Sequence, residues 1–574
     1  MKQVTRGRWW ALAAVAASFL VVGLDSYIVV TALPTFSARL GASTGQLQWI
    51  TAAYTLAAAA VMLPAGQLGD KLGRRRVLLA GVAVFGVSSV VASQVTTAGE
   101  LIAKRAIMGA GGAVIMPMGQ AIIPFLFPGE ADRRRAVAVT TIVALASLPL
   151  GPLLGGWMLS HVAWGWIFLI NAPVSALALL GVWRLVPESR DPANPRLDWP
   201  GTVLSAIGIT GVIYAIIEEP GYGWDVPVLL SLLGGAVLLG VFARRQRRLT
   251  APLADFRLFR DRLFGWGTIA FGVVSFAQTG VLFMLTPYLQ SVQGTDAQGT
   301  GLRLLPMIAG LIGAAACGQS LGARIGVRFV IPAGMVLSAA GLVILTRAPA
   351  GPGYGIVALA LVVFGAGLGL ALPLAADAVL GTLAPHQQGM GNALSRTVQR
   401  VGIALGTAVL GSVLNSSYRN TLTGHLGGLP AGARDAATSS VAVARQLAGR
   451  LTGPAGGPLL HAASTAYIHG MTVAALAGIG VLVVSAAACL FFLPGGQARE
   501  ESPAAQPAYQ DQHACPTPRP AAALSPAAGP APASSVPPYR DAQHSHLPLI
   551  RATPRPERRT LASPKRQSPV AGPG

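Results

Sequence analysis

Two aspartates and one arginine lie inside strongly apolar stretches of this chain, where charged side chains are rare. Asp25 follows FLVVGL, Arg105 lies in LIAKRAIMGAGGA and Asp377 lies in FGAGLGLALPLAADAVL. A charge at the centre of a bilayer costs about 2.5–3.5 kcal/mol on insertion scales, so each group must be paired, hydrated or neutralised. A buried carboxyl group that gains and loses a proton can carry it through a membrane. Asp25 is therefore a candidate for proton coupling, and Arg105 and Asp377 are two further charges that need a partner, water or neutralisation.

The sequence leaves alternatives open for two of these charges. Arg105 has no carboxylate at helical spacing in its own segment, so its counter-charge is Asp25 or a set of backbone carbonyls. Its side chain can also extend to the outer headgroups beside Lys104. Asp377 lies near the end of its segment, where a carboxylate can reach cytoplasmic water instead of serving transport.

The elements that carry these residues are long enough to cross a membrane. Of the 574 residues, 52% are hydrophobic and 11% are charged, a composition far outside the range of soluble globular proteins. A helix crosses ~30 Å of hydrocarbon with about 18–25 apolar residues. Fourteen such segments are predicted, at 9–33, 46–68, 77–96, 99–126, 136–159, 165–186, 199–217, 226–243, 264–289, 301–322, 328–346, 355–381, 395–415 and 469–493. The fold class is therefore an all-α integral membrane protein.

The formal net charge of +21 is concentrated in alternate loops between these segments. The basic positions are Arg74–Arg76, Arg133–Arg135, Arg184 with Arg190, the stretch from Arg244 to Arg262, and Arg324 with Arg328. Because basic loops remain in the cytoplasm, the pattern predicts a multi-pass protein of the cytoplasmic membrane with both termini inside. The charge is thereby assigned to topology and to anionic membrane lipid, and no nucleic-acid partner is expected.

Residues that serve enzymes, metals or nucleotides are not grouped in this sequence. Cys317, Cys489 and Cys515 lie far apart, the histidines fall in separate loops without metal-ligand spacing, and no phosphate-binding loop is present. We therefore expect no catalytic residue, no metal, no cofactor and no ATP-driven pump.

Two loop sequences indicate an internal repeat. LGDKLGRR (68–75) aligns with LGARIGVR (321–328), and each joins consecutive apolar segments on the basic side. The copies are eight segments apart, which fits two six-helix bundles separated by two linker helices, unless the match is chance. The predicted units are an N-terminal bundle (1–190), a linker with two extra helices and a basic loop (191–262), a C-terminal bundle (263–494) and a disordered Pro/Ala-rich cytoplasmic tail (495–574).

Four motifs resemble those of the major facilitator superfamily, in particular its fourteen-helix drug:proton antiporters. The family's cytoplasmic loop signature, Gly-x-x-x-Asp-Arg/Lys-x-Gly-Arg-Arg/Lys, is matched by Gly66, Asp70, Lys71, Gly73, Arg74 and Arg75. LDSYIVVTALP (24–34) resembles the first-helix signature, although Tyr27 and Val30 replace the usual Thr and Asn. LIAKRAIMGAGGA (101–113) resembles the fourth-helix pattern of an arginine followed by closely spaced glycines.

The fourth motif is SLPLGPLLGG (147–156), which resembles the antiporter signature of the fifth helix with Ser147 at its first glycine. It supplies Gly151, Pro152, Gly155 and Gly156, which form either a kink that bends during transport or a seam of small residues that packs against another helix. The resemblance implies that this element accompanies export rather than import.

The resemblance also implies a role for the loop motif. A carboxylate at Asp70 would face the positive N-terminal end of a helix in the other half and latch the cytoplasmic gate shut in the outward-facing state. By position, the start of the thirteenth segment, at 391–395, is the expected partner. A role in topology alone is the alternative.

The function that the resemblance implies is proton-coupled export of amphipathic organic molecules, such as drugs and antibiotics, by alternating access. The resemblance also adds Arg105 and Asp377 to Asp25 as candidates for proton coupling. Trp49 and Tyr54 are candidate cavity residues, although aromatic residues near a membrane surface often serve as interfacial anchors. A cavity with few charges suits cationic or neutral molecules. The alternative is a proton-coupled importer of a small organic nutrient with the same fold. The expected partners are a small-molecule substrate, protons and membrane lipid, and the expected state is a monomer.

Overall fold

The computed structural model describes residues 2–190, 198–249, 252–349, 353–381, 383, 388–426, 430–450 and 456–494. Across these ranges the secondary structure is helical, and the residues belong to one compact unit. The α-helices are α1 (Lys2–Leu40), α2 (Thr44–Leu72), α3 (Arg74–Ala92), α4 (Ala98–Leu126), α5 (Glu130–His161), α6 (Trp166–Leu169), α7 (Asn171–Leu185), α8 (Trp199–Tyr222), α9 (Val226–Gln246), α10 (Arg262–Pro287), α11 (Ala297–Arg303), α12 (Leu305–Ile325), α13 (Val327–Leu345), α14 (Tyr354–Gly381), α15 (Gln388–Thr423), α16 (Ala431–Ser439), α17 (Val441–Arg450) and α18 (Gly456–Phe492). A short 3-10 helix (Phe256–Arg260) precedes α10, and one π-helical turn (Tyr288–Val292) follows it.

The membrane spans agree with the apolar segments. Thirteen helices in the described part of the chain are long and apolar enough to cross a bilayer, and the bent helix α2 brings the number to fourteen. Each of the fourteen predicted segments coincides with one of these spans, with α6 and α7 sharing one and α11 and α12 sharing another. The predicted all-α membrane fold is confirmed. The predicted tail lies outside the described residues from 495 onward.

Helix α2 is sharply bent. Helix α2 turns by 52° between Thr44–Met62 and Pro64–Leu72. Proline has no N–H to donate and its ring displaces the preceding turn, so Pro64 accounts for the bend. Helix α5 continues as one helix through Pro149 and Pro152. The kink proposed for α5 stays a prediction.

The two loop sequences of the repeat have the same backbone geometry. Gly73 joins α2 to α3 with φ 106°, and Gly326 joins α12 to α13 with φ 86°. In each copy the glycine N–H closes the last turn, donating to the carbonyl of Gly69 at 2.9 Å and of Gly322 at 3.0 Å. Only glycine adopts these angles without strain, which explains why this residue recurs at both connections.

Glycines on α14 allow three helices to pack with their backbones in contact. A Cβ added at Gly365 would lie 2.0 Å from the carbonyl oxygen of Met307, and one at Gly369 would lie 2.1 Å from that of Leu311, both on α12. One at Gly367 would lie 2.4 Å from the carbonyl oxygen of Gly334 on α13. Residues four apart share a helix face and residues two apart do not. In GAGLG, Gly365 and Gly369 therefore pack against α12, and Gly367 packs against α13 on the other side.

The linker helices α8 and α9 pack on each other, and α8 also packs on both flanking groups of helices. Ile213 and Ile217 of α8 form an apolar cluster with Ala52 and Leu56 of α2 and with Ala404 and Ala408 of α15. The assignment of 191–262 as a separate linker between two six-helix units stays a prediction.

A polar clamp holds the ends of α8 and α9 together. Asp198 caps α8 and accepts hydrogen bonds from Gly201 N at 3.0 Å, Arg245 Nη2 at 2.9 Å and Gln246 Nε2 at 2.7 Å. Burial favours the neutral acid, but the hydrogen bonds from Arg245, the Gly201 amide and Gln246 outweigh it and lower the pKa of Asp198. The clamp therefore holds above the ordinary pKa of aspartate and weakens as the pH falls through the lowered value.

The glycine packing predicts a position-specific effect on stability. Gly369→Ala places a methyl group against a carbonyl oxygen of α12, and overpacking of this kind costs about 1–3 kcal/mol. Gly313→Ala on α12 is the matched control, because nothing lies within 4 Å of its Cβ position. We expect a lower melting temperature in detergent for Gly369→Ala only, and equal melting temperatures for the two variants would contradict the packing argument.

Candidate functional site

The centre of the N-terminal helices contains a buried ion pair. Arg105 of α4 donates through Nη1 to Asp25 Oδ2 of α1. Only 2% of the Arg105 side chain and none of the Asp25 side chain is exposed. The sequence-based alternative in which Arg105 extends to the outer headgroups is therefore wrong.

Neighbouring helices fix both partners of the Asp25–Arg105 pair. Asn171 Nδ2 of α7 donates to the second carboxylate oxygen of Asp25 at 3.2 Å. Arg105 Nε donates to the carbonyl of Ile50 at 3.3 Å, and its guanidinium lies 4.3 Å from the centre of the Tyr54 ring. Both expected sources of counter-charge, Asp25 and a backbone carbonyl, are thus used together. The cluster joins α1, α2, α4 and α7.

Glycine on α4 is what allows α2 to lie so close to the pair. A Cβ at Gly109 would lie 2.1 Å from the carbonyl oxygen of Tyr54, and one at Gly112 would lie 2.7 Å from its hydroxyl oxygen. The glycines that follow Arg105 in the sequence therefore bring the Tyr54 ring over the guanidinium.

A cavity of about 230 Å³ lies next to this cluster, between α1, α2, α4, α5, α10 and α15. Arg105 and Tyr54 contribute to its wall, while Asp25 lies behind them. Most of the residues in the wall carry a polar side-chain group. These are Ser26, Tyr27, Thr51, Tyr54, Thr55, Arg105, Ser147, Gln278, Thr279, Arg396, Gln399, Arg400 and Thr407. No carboxylate lines it among the described residues.

Two arginines of α15 in this wall were not recognised as site residues from the sequence. Arg396 and Arg400 lie inside the predicted segment 395–415 and share one helix face with Gln399, Ile403 and Thr407, all of which line the cavity. Asn171 was missed in the same way. The signal that identified Asp25, a charged side chain inside an apolar segment, could also have identified the two arginines, and an amide side chain in such a segment could have identified Asn171.

Trp49 does not line the cavity, which corrects one prediction. Its indole N–H donates to Glu218 Oε1 of α8 at 2.8 Å, and its ring lies 6.0 Å from that of Tyr214. Five residues along a helix correspond to a rotation of roughly 140°, so Trp49 and Tyr54 face different neighbours. Glu218 lies within α8 as the partner of Trp49.

Asp377 lies apart from the buried pair. It is exposed near the end of α14, and its contact is a hydrogen bond from Gln319 Nε2 of α12. This placement agrees with the alternative of a helix-end carboxylate that reaches water. A coupling role for Asp377 stays a prediction without a geometric contact to Asp25 or Arg105.

The loop motif ties α2 to α4 and to the end of α7. Asp70 Oδ1 accepts from Arg74 Nη2 at 2.8 Å, and Arg74 Nη1 donates to the carbonyl of Ala121 at 3.3 Å. Arg75 N donates to Glu188 Oε1 at 3.1 Å. Gly73 packs so closely that an added Cβ would lie 2.5 Å from Glu188 Oε1, whereas Gly66 has open space and Lys71 is exposed.

The latch contact expected for Asp70 is not formed in this structure. Its carboxylate binds Arg74 of the neighbouring helix rather than the start of α15. That start, within 391–395, contacts α4 through Asn392 Nδ2 and Gln120 Oε1 at 3.4 Å.

The predicted antiporter motif on α5 is a packing seam. A Cβ at Gly151 would lie 2.5 Å from Tyr27 Cβ, and one at Gly155 would lie 3.1 Å from the Ile28 side chain, both on α1. One at Gly156 would lie 2.4 Å from the carbonyl oxygen of Ala297 on α11. Pro152 joins this seam, because its carbonyl oxygen lies 2.3 Å from a Cβ placed at Gly301.

Several side-chain hydrogen bonds join α1–α7 to α10–α18 at the end of the molecule opposite the α2–α3 connection. We call the end that carries the α2–α3 connection at Gly73 the basic end. At the opposite end, Ser37 Oγ lies 2.6 Å from Ser440 Oγ, and Thr44 Oγ1 donates to the carbonyl of Ser439 at 2.9 Å. Gln48 Nε2 donates to the carbonyl of Ala408 at 2.9 Å. The opposite end is therefore closed by direct contacts between the two groups of helices.

Comparison with known proteins agrees with this architecture. Residues 15–407 match the model of the Major Facilitator Superfamily. The chain is 32% identical over 510 residues to the tetracenomycin C resistance and export protein of Streptomyces glaucescens, covering 87% of this chain and 95% of the relative. It is 32% identical over 485 residues to the puromycin resistance protein pur8 of Streptomyces alboniger, covering 83% and 90%.

A solved structure with the same fold is that of a bacterial homolog of the human lysosomal transporter Spinster in an inward-facing, occupied conformation. The TM-score is 0.61 at 16% identity, covering 86% of this chain and 98% of the other, and it shows the fold alone. The family model covers more than half of the chain, and the two relatives exceed 30% identity over most of their length. The chain belongs to the Major Facilitator Superfamily, whose members are transporters that move small molecules across membranes and not enzymes.

Proposed function

We propose that this protein exports amphipathic organic molecules, such as antibiotics and other drugs, in exchange for protons. The observation that carries the proposal is the buried Asp25–Arg105 pair beside the central cavity. The names of the two relatives, one a resistance and export protein and one a resistance protein, support the direction of transport. The transporter acts as a monomer in the cytoplasmic membrane, in contact with anionic lipid through its basic end.

Protonation of Asp25 is the coupling step. The carboxylate holds Arg105 against the protein interior, and a proton on Asp25 removes the counter-charge of the guanidinium. An unpaired guanidinium is costly in a low-dielectric interior, so Arg105 turns toward the cavity that it already lines. Proton binding is thereby converted into a change of the cavity wall.

The size of the cavity makes proton and substrate exclude each other. Its volume of about 230 Å³ is below the ~300–1,000 Å³ typical of ligand pockets, so a side chain that turns inward takes space from the substrate. Exchange requires each ligand to lower the affinity for the other by the same factor, and steric competition meets this condition.

The contacts between the two groups of helices define the transport state. The positive-inside pattern puts the basic end and both termini in the cytoplasm, so the closed end at Ser37 and Ser440 faces outward. This state is inward-facing. When the basic end closes, the start of α15 approaches α2, and the Asp70 carboxylate moves from Arg74 to the positive N-terminal end of that helix.

A proton-coupled importer of a small organic nutrient is the second candidate. It would share the buried pair and the loop motif. The α5 seam of Gly151, Gly155 and Gly156 against α1 and α11 favours export, because the resemblance associates this motif with antiporters. Uptake assays in whole cells separate the two directions.

The coupling step predicts the behaviour of two variants, one that removes Asp25 alone and one that removes both charges of the buried pair. Asp25→Asn alone leaves Arg105 buried without a counter-charge, at a cost of about 3–5 kcal/mol, so we pair it with Asp25→Asn/Arg105→Gln. We expect both to lose protonophore-sensitive efflux of fluorescent amphipathic dyes by at least about tenfold, and the double variant to reach the membrane at the wild-type level. Asp132→Asn, an exposed acid on α5, is the matched control. Protonophore-sensitive efflux by the double variant would remove the pair from the coupling path.

The latch predicts a loss of transport without a loss of folding. Asp70 is partly exposed and its partner Arg74 keeps its bond to Ala121, so Asp70→Asn leaves the helix packing intact. We expect normal expression and melting temperature with efflux abolished, because the amide lacks the negative charge that the helix end attracts. Asp132→Asn, the same change at an exposed acid of α5 outside the motif, is the control. Wild-type efflux by Asp70→Asn would refute the latch.

Alternating access predicts that a cross-link at the outer end stops transport. The Ser37 and Ser440 hydroxyls lie 2.6 Å apart, so Ser37→Cys/Ser440→Cys places two thiols at bonding distance. With Cys317, which is exposed, and Cys515, which lies outside the described residues, both replaced by serine, we expect oxidation to abolish efflux and a reductant to restore it. Each single cysteine variant is the control. Full efflux by the cross-linked protein would show that this end does not open.

A further inference from the structure

The cavity wall contains two positive charges that the proposed coupling step does not use. Arg396 and Arg400 of α15 face the cavity. Across the described ranges no acid forms an ion pair with either of them, and the one acid near the cavity, Asp25, is engaged by Arg105 and Asn171. Arginine inside a membrane span is costly and normally paired, so two unpaired ones require a ligand or a function.

The contacts of Arg396 leave donor groups free for such a ligand. Its Nη1 donates to Gln399 Oε1 at 3.3 Å, and its guanidinium lies 5.3 Å from the centre of the Phe271 ring. Gln399 in turn donates to Ser275 Oγ of α10 at 3.2 Å. Each guanidinium carries five N–H donors, so most of those on Arg396 are not used by these contacts. The network holds the side chain in place without neutralising it.

Arg400 lies on the side of the cavity that faces the N-terminal helices. It is near enough to the phenol groups of Tyr27 and Tyr54 to act on both electrostatically. Amide and hydroxyl groups of Gln278, Thr51 and Thr55 surround the same space. The site therefore presents two cations, several neutral hydrogen-bonding groups and an aromatic face, with no described negative group on its wall.

We propose that Arg396 and Arg400 determine substrate specificity by binding an oxygen-rich group and by rejecting cations. The substrate class is an aromatic compound that carries carbonyl, phenol or carboxylate oxygens and no positive charge. Guanidinium groups donate paired hydrogen bonds to such oxygens, while a cation would be placed next to two like charges without a compensating acid. This inference rests on the proposed export function and replaces the sequence-based expectation of a cationic or neutral substrate.

Two xanthene dyes of similar shape test the charge preference. Fluorescein is oxygen-rich and carries no positive charge, whereas rhodamine 6G is a cation. Binding to the purified full-length protein in nanodiscs is measured by fluorescence anisotropy, with empty nanodiscs as the background. We expect fluorescein to bind at least tenfold more tightly than rhodamine 6G. Equal or tighter binding of rhodamine 6G would overturn the proposal.

Four variants assign the preference to the two arginines. We expect Arg396→Gln and Arg400→Gln each to weaken fluorescein binding at least tenfold, and Arg400→Lys to keep the preference over rhodamine 6G because it keeps the charge. Arg324→Gln removes an exposed positive charge of α12 outside the cavity and is the matched control, with unchanged binding of both dyes. A preference that survives both glutamine variants would overturn the assignment.

A transport measurement separates this inference from the export function. Protonophore-sensitive accumulation of each dye in everted membrane vesicles reports export. Accumulation of rhodamine 6G that is unaffected by Arg396→Gln and Arg400→Gln would leave the export function standing and overturn the specificity proposal. If the wild-type protein accumulates neither dye in the vesicles but still binds fluorescein more tightly than rhodamine 6G, the result would count against export and support the charge selection at this site.

Discussion

The main constraint on this structure is that a charge inside a membrane must be neutralised by a partner at close range. Asp25 and Arg105 satisfy each other, and the remaining polar capacity of the pair is taken up by Asn171 and the carbonyl of Ile50. Because those partners come from α1, α2, α4 and α7, the pair fixes the relative positions of four helices. Neutralisation of the carboxylate in such a network would change both packing and charge, which is how the proposed coupling step would link transport to the helix arrangement.

Small residues and polar residues perform different tasks at the helix contacts. Glycine seams on α4, α5 and α14 bring backbones together and make contacts that do not depend on charge. Hydrogen bonds at the end opposite the basic end, such as those of Ser37 and Thr44, can exchange with water if that end opens as proposed. The seams on α4 and α14 join helices of one group, whereas the α5 seam also packs Gly156 against α11 of the other group. In the proposed transport cycle, this part of the α5 seam and the hydrogen bonds between the groups are the contacts that must separate.

The sequence predicted the helices well because the length of a membrane span and its apolar character are properties of the local chain. Asp25 and Arg105 could be identified because a charged side chain inside an apolar segment is also visible in the local sequence. Trp49 was predicted to face the cavity, but its side chain faces α8, where it donates to Glu218. Which neighbour an aromatic side chain of α2 contacts depends on where α8 packs, and the local sequence does not contain that information. Arg396 and Arg400 lie in a segment that was read only as apolar, although their spacing of four residues already placed both on one helix face.

The charge of the cavity bears on the energy that drives export. Inward movement of one proton across 100 mV releases about 2.3 kcal/mol, and outward movement of an anion from a negative interior adds a similar amount. Export of a cation would oppose the potential by the same amount. A wall that carries Arg396 and Arg400 without an acid therefore favours the substrates whose export the membrane potential assists. An anion bound to these arginines would also attract a proton to the nearby Asp25. In the proposed exchange, steric competition for the small cavity must therefore outweigh the attraction between the anion and the proton.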